Sequence, residues 1–227
     1  MKKATQRFDD PNLLRFTRDA LNEGKLLDLS DRKIVRTLIW LALNGNRDDR
    51  LDAAELLGDS SVLRSKAIST LEIGLLKENT GDAKVYFAES LGILGSRNSW
   101  KLLARFLGHP CSLLRAHCAI ALCRAIPSHG KELVAKQLKR EHSPLAQVHM
   151  LAALYRGGRD TLYSELIRRL KSRSYLVRLV AANGIRDGST LRKARPEIVT
   201  ALRDALKTEE VGSVKSALRQ ALNAARK

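Results

Sequence analysis

An all-α solenoid, about six stacked helix pairs behind an N-terminal capping helix, is the fold class that three features of this sequence predict. One helical phrase is stated twice between residues 83 and 126. Setting Lys84 under Arg115 brings Ala88 onto Ala119, Leu91 onto Leu122 and Gly92 onto Cys123, with WKLLARFLG between the two copies. Extending that register gives the anchors Arg50, Lys84, Arg115, Gln147, Arg178 and Lys215, spaced 34, 31, 32, 31 and 37 residues apart. A period of that size marks a solenoid of helix pairs. The second feature is composition: aromatics are only 4%, and the abundant Ala and Leu suit close helix stacking rather than strands. The third is punctuation, with Gly45, Gly58, Gly81, Gly95, Gly108 and Gly188 near helix ends and Pro110, Pro127, Pro144 and Pro196 near helix starts.

In chain order, Asp10-Pro11 is a cap followed by proline at the first helical position, opening a helix that Leu13, Leu14, Phe16, Ala20 and Leu21 carry to Gly24. It lies outside the period, so residues 1–30 form the cap and 31–227 the repeats. The six pairs are expected at 31–45 with 48–58, 61–77 with 82–95, 98–108 with 111–126, 129–141 with 144–156, 160–171 with 173–186, and 195–207 with 211–225. The array is expected to be one domain, 1–227, with a core running through the stack.

Net charge is +17 and falls mainly on the second half, where residues 111–227 carry 23 Lys+Arg against 9 Asp+Glu. Such a field attracts nucleic acid, anionic membrane surface or an acidic protein without choosing among them. The start MKKATQRFDDPNLLRF has no apolar run, and no stretch approaches the roughly 20 apolar residues of a membrane span. A cytoplasmic protein with no membrane partner is expected. Three cysteines within one repeat, Cys111, Cys118 and Cys123, fit reduced thiols better than disulfides.

The phrases AAELLGD (53–59) and AESLGILG (88–95) resemble the HEAT-repeat consensus, in the variant shared with phycobilin lyase subunits. The resemblance covers about residues 31–227 and implies a right-handed superhelix of HEAT-like pairs. Such arrays serve as scaffolds, adaptors, chaperone-like lyases and, in one branch, alkylpurine DNA glycosylases, so fold alone does not select a function. The family also carries an Asp six residues before the anchor. Here those positions hold Asn44, Glu78, His109, Glu141, Ser172 and Glu209, so the ladder acid is absent for Arg50, Arg115 and Arg178. They either pair with the Glu of a neighbouring repeat or stand ready for a ligand.

Helical geometry sorts the remaining residues. Positions three, four and seven beyond each anchor form a buried stripe, for example Ala53, Ala54 and Leu57, or Cys118, Ala119 and Leu122. Positions two, five and nine face away, and by the resemblance they line the concave groove. The groove runs from Asp52, Glu55 and Asp59, past Tyr86 and Glu89, through His117, Arg124, His149 and Arg156, to Asn183 and Asp187. The central quartet His117, Arg124, His149 and Arg156, flanked by Tyr86 and Asn183, is the candidate partner-binding site. No acid of those two repeats neutralises it. A carboxylate or phosphate is expected there, held more tightly once the histidines protonate below about pH 6.5. The excess positive charge lies on the partner helices and turns, where Arg168, Arg169, Arg173, Arg192, Lys193 and Arg195, with Tyr155, Tyr163 and Tyr175 nearby, outline a candidate nucleic-acid rim.

The phosphate-loop, G-x-S-x-G, H-E-x-x-H, C-x-x-C and G-x-G-x-x-G motifs are missing, so no catalytic residue, cofactor or metal is expected. Cys118 reads as core, and Cys123 is the better placed thiol if one reacts. The leading expectation is a non-enzymatic adaptor holding an extended or helical segment of a partner protein, one with an acidic group, in the groove. A nucleic-acid-binding module using the basic rim is the alternative, and a lyase- or glycosylase-type enzyme the minor one. Against base excision, Trp40 and Trp100 fall on the helices without anchors and the groove carboxylates lie at the acidic end.

Overall fold

The computed structural model describes residues 8–190 and 195–226. Within them, α1 (Pro11–Asn22) precedes six pairs: α2 (Arg32–Asn44) with α3 (Arg47–Gly58), α4 (Arg64–Lys77) with α5 (Gly81–Ile93), α6 (Trp100–Arg105) with α7 (Ser112–Ala125), α8 (Pro127–Leu138) with α9 (Pro144–Arg156), α10 (Tyr163–Arg169) with α11 (Tyr175–Ser189), and α12 (Pro196–Thr208) with α13 (Gly212–Ala224). Strands are absent from the described residues. Local chemistry explains where the helices begin. Proline stands at the first position of α1, α8, α9 and α12, where its missing N–H leaves nothing unsatisfied. Asp10, Thr80 and Ser143 accept backbone N–H bonds at their helix starts, and Asn46 with Asp49 completes a reciprocal capping box on α3.

Three pairs depart from the sequence expectation. Helix α8 begins at Pro127 rather than 129. The expected helices at 98–108 and 160–171 are only one to two α-turns long, each joined to a single tight turn, 106–108 or 160–162. Helix α11 continues to Ser189 instead of stopping at 186. Gly188 serves there not as a terminator but as the bare spot on which the Tyr155 ring packs.

The anchor-bearing helices α3, α5, α7, α9, α11 and α13 stack tightly on one another. The expected stripe is wholly inside: Ala53, Ala54, Leu57, Cys118, Ala119, Leu122, Ala181, Ala182 and Ile185 are 0% exposed. Neighbouring helices of this layer meet through small residues. A Cβ on Gly92 would stand 2.8 Å from Cα and Cβ of Ala121, so α5 and α7 approach more closely than any larger side chain permits. The opposite layer, α2 to α12, is more loosely spaced and leaves a wide cleft between α10 and α12. A stack with one tight and one splayed layer curves, placing the anchor-bearing helices on the concave side.

The repeats are joined by buried ion pairs that run between consecutive pairs of helices. Arg50 grips Glu78, Arg115 grips Glu141, and Arg178 grips Glu209, each through two guanidinium nitrogens at 2.6–3.2 Å. The remaining Nη1 of each arginine donates to backbone carbonyls of its own preceding turn. Glu141 and Glu209 also accept two backbone N–H bonds apiece at the start of the next inner helix. Of the two readings left open for these arginines, pairing with the neighbouring repeat's Glu is the one observed. The other anchors do not clasp a neighbour's carboxylate. Lys84 donates Nζ within its own pair, to the carbonyls of Leu75 and Leu76 at the end of α4. Gln147 bridges the Glu141 carbonyl and Arg169. Apolar packing follows in two clusters, one from α2 to α9 and one from α9 to α13, with Leu138 and Leu162 packed against both. The cap closes the first end, where Arg18 pairs with the buried Asp49 at 3.0 Å.

Candidate functional site

Midway along the concave face, α7, α9 and α11 enclose a depression of about 160 Å³ whose lining includes Ile120, Arg124, His149, Arg156, Asn183 and Asp187. A second depression of about 260 Å³ shares Ile120, Arg124, Ala153 and Arg156 and continues toward Cys123 and Pro127. Arg124 and Arg156 thus form a ridge between two hollows, with an aliphatic floor beside each guanidinium. Neither arginine has a hydrogen bond or ion pair among the described residues, in contrast to the three clasped anchor arginines. Burial, followed by the like charge of Arg156, pushes the Arg124 guanidinium below its ordinary value. An anion seated on the ridge would reverse that cost.

Four of the six sequence candidates, Arg124, His149, Arg156 and Asn183, line the same hollow. His117 stands beside it with its ring 5.8 Å from that of His149. Tyr86, half exposed on α5, lies outside the lining. The structure adds to one expectation and corrects another. The quartet's own two repeats supply no groove acid, but a flanking repeat does: His117 Nδ1 lies 3.3 Å from Glu89 Oε2, and the hydrogen bond from His117 holds the Glu89 carboxyl below the usual range. Asp187 stands at the other end, bound to Arg186 at 2.9 Å. Both acids come from the repeats on either side, which is why taking α7 and α9 alone missed them. The signal was present in the sequence. A fifth groove position in one repeat meets the second position of the next, as Glu89 meets His117. The correction concerns protonation: burial, then the charge of His117, pushes His149 down to about 4, so it is neutral where a charged imidazole was expected.

No protein-family model matches this sequence, and neither does any curated protein. Solved structures do match. The complex of CpcE and CpcF of phycocyanin lyase from Nostoc sp. PCC7120 aligns with 98% of this chain and 92% of its own at a TM-score of 0.58 and 16% identity. An archaeal HEAT-like repeats protein from Thermococcus onnurineus NA1 aligns with 97% and 98% at a TM-score of 0.48 and 15% identity. This chain has the α-solenoid fold of the phycocyanin lyase structure. At such identities the likeness extends to the path of the backbone and not to what the groove holds.

On the convex side of the stack the proposed rim is largely engaged with the protein itself. Arg168 pairs with Glu165, Arg169 donates to Gln147 Oε1 at 2.7 Å, and Arg195 lies 3.8 Å from Asp160 and over the Tyr163 ring. Arg173 is exposed, while Arg192 and Lys193 lie outside the described residues. The three tyrosines do not form a platform, because Tyr155 is 1% exposed in the core and Tyr163 is covered by Arg195. Of the thiols, Cys118 lies in the core as expected, and Cys123 is the less buried of the two. Cys123 is half-buried, and burial pushes it up to about 12, so it offers no thiolate at neutral pH. Cys118 is raised further. Among the described residues no three His, Cys, Asp or Glu side chains gather as a metal site, and no helix is long and apolar enough to cross a membrane.

Proposed function

We propose that this HEAT-like solenoid is a non-catalytic scaffold whose concave face receives an acidic segment of a partner protein at Arg124 and Arg156. The observation that carries this reading is the contrast among arginines. Those at the anchor positions are clasped by carboxylates. The groove pair has no such clasp: Arg124 and Arg156 stand side by side, Glu89 and Asp187 act on Arg124 only from a distance, and the hollows on both sides have partly aliphatic linings. A carboxylate seated there gains charge-assisted hydrogen bonds from two guanidiniums, while Ile120, Val180 and the alanines of α9 take up apolar contacts. Asn183 adds an amide that can donate or accept.

The test compares proteins retained from cell extract by the wild-type chain and by the double variant Arg124→Ala, Arg156→Ala, with both melts recorded. Proteins held by the wild type and released by a normally folded double variant support the reading. Identical retention by both removes the ridge as the site. A salt series with duplex and single-stranded DNA runs alongside. Tight binding that falls steeply with salt, and weakens on changing Arg168, Arg169 and Arg173 to Gln, would place function on nucleic acid instead.

A further inference from the structure

Between α10 and α12, on the convex side, lies a cleft of about 1020 Å³. Its origin is a mismatch of lengths. Helix α12 has 13 residues and α10 has 7, which at 1.5 Å per residue is about 20 Å against about 10 Å. Even with the turn at 160–162 ahead of it, α10 is shorter than α12, and the cleft lies between them. Its apolar lining is Ile167 and Leu170 from the α10 end, Ala201 and Ala205 on α12, and Val211 at the following turn, set among polar and charged residues. The α12 residues that line it, Thr200, Ala201, Asp204, Ala205 and Thr208, recur every four residues, so the cleft is a trough parallel to the helix axis.

Its charge is opposite to that of its surroundings. Residues 111–227 hold 9 Asp+Glu against 23 Lys+Arg, yet the trough is lined by four acids, Glu197, Asp204, Glu209 and Glu210, against two bases, Lys171 and Arg178. Glu209 is committed to Arg178 at its base. Asp204 pairs with an exposed Lys207 three residues on, and Lys171 of the opposite wall acts on it from farther off. Glu197 and Glu210 have no ion pair among the described residues. Glu197 and Asp204 are seven residues apart, two turns along one side of α12, or about 10 Å.

We propose that this trough is a second docking site, for an amphipathic helix of a partner protein whose apolar stripe is flanked by Lys or Arg at seven-residue spacing. The charge pattern requires a basic partner. The walls require a helical one. Most of the trough wall is helix, whose own carbonyls and N–H groups are already paired, so an extended segment would bury backbone groups with few partners. A helix brings its own.

The test is a phage-displayed library of amphipathic helices with randomised flanking positions, panned on the full-length chain and counter-selected on Ala201→Trp, which fills the trough. Selected helices should carry an aliphatic stripe with Lys or Arg seven residues apart. A synthetic consensus peptide should bind the wild type in fluorescence anisotropy, and about tenfold or more weakly the Ala201→Trp and the Glu197→Lys, Asp204→Lys variants. The double variant Arg124→Ala, Arg156→Ala should bind it unchanged, which separates this site from the concave one. Should Ala201→Trp melt below the wild type, Thr200→Arg at the exposed edge of the trough replaces it. The proposal is overturned if no clone prefers the wild type to the filled trough, if acidic flanks are selected, or if the consensus peptide ignores the charge reversal.

Discussion

Replacing Glu141 by Gln tests the clasp between the third and fourth repeats, and its size can be worked from the structure. Glu141 is 4% exposed. Its two oxygens take Arg115 Nε and Nη2 at 2.7 and 2.6 Å and two backbone N–H groups at 3.1 and 2.9 Å. Those bonds, that of Arg115 foremost, lower its pKa from 4.5 to about 2. At about 1.4 kcal/mol for each tenfold change, the difference corresponds to roughly 3 kcal/mol in favour of the folded, ionised state. The same figure is near the lower end of the roughly 3 to 5 kcal/mol expected when one partner of a buried pair is removed. Glutamine keeps an acceptor for the backbone N–H groups but not the charge, so a loss of about 2 to 3 kcal/mol is expected at pH 7. For a chain of this size that is a fall in Tm of about 4 to 12 °C.

The pH dependence gives the sharper result. A carboxyl whose folded pKa is depressed stabilises the fold fully above its unfolded value, and that stability is lost as pH falls from about 4.5 toward about 2. Wild type and Glu141→Gln should therefore differ at pH 7 and converge through that window, in paired urea titrations followed by circular dichroism. A difference that stays constant down to pH 2.5 would show that shape, not charge, holds the clasp, and the reasoning would fail.

Other outcomes follow from the same coordinates. Ala119 is 0% exposed, so Ala119→Leu should cost about 1 to 3 kcal/mol by overpacking, whereas Arg124→Leu, on the open face five residues later, should leave the melt nearly unchanged. Gly92→Ala should also lower the Tm, since its Cβ would fall 2.8 Å from Ala121; an unchanged melt would mean that α5 and α7 are farther apart than described. Cys118 and Cys123 should resist a thiol reagent at pH 8 until the chain is unfolded in denaturant, because burial raises both thiols; rapid labelling of Cys123 in the folded protein would contradict its burial. Since His149 is held down to about 4, capture of an acidic partner should have the same pH dependence in His149→Gln as in the wild type between pH 8 and 5.5, and a slope lost in the variant would show that His149 titrates in that range.

The sequence by itself determined the fold class, because the 3.6-residue helix period and the 31 to 37-residue repeat are local properties of the chain. They were enough to place Ala53, Ala119 and Ala182 in the core and Arg124 and Arg156 on the open face. They also showed that no acid stands six residues before Arg50, Arg115 or Arg178. What only the tertiary structure decided is which side chains meet across repeats. Glu78, Glu141 and Glu209 reach back to the preceding anchor, Glu89 reaches His117, and Tyr155 turns inward onto Gly188. The trough beside α12 was equally illegible, since it depends on how far α10 extends before it unwinds. Helical spacing defines the direction of a side chain about its own axis. Its partner depends on the separation and rotation of neighbouring helices, and those are set by the packing of the whole stack.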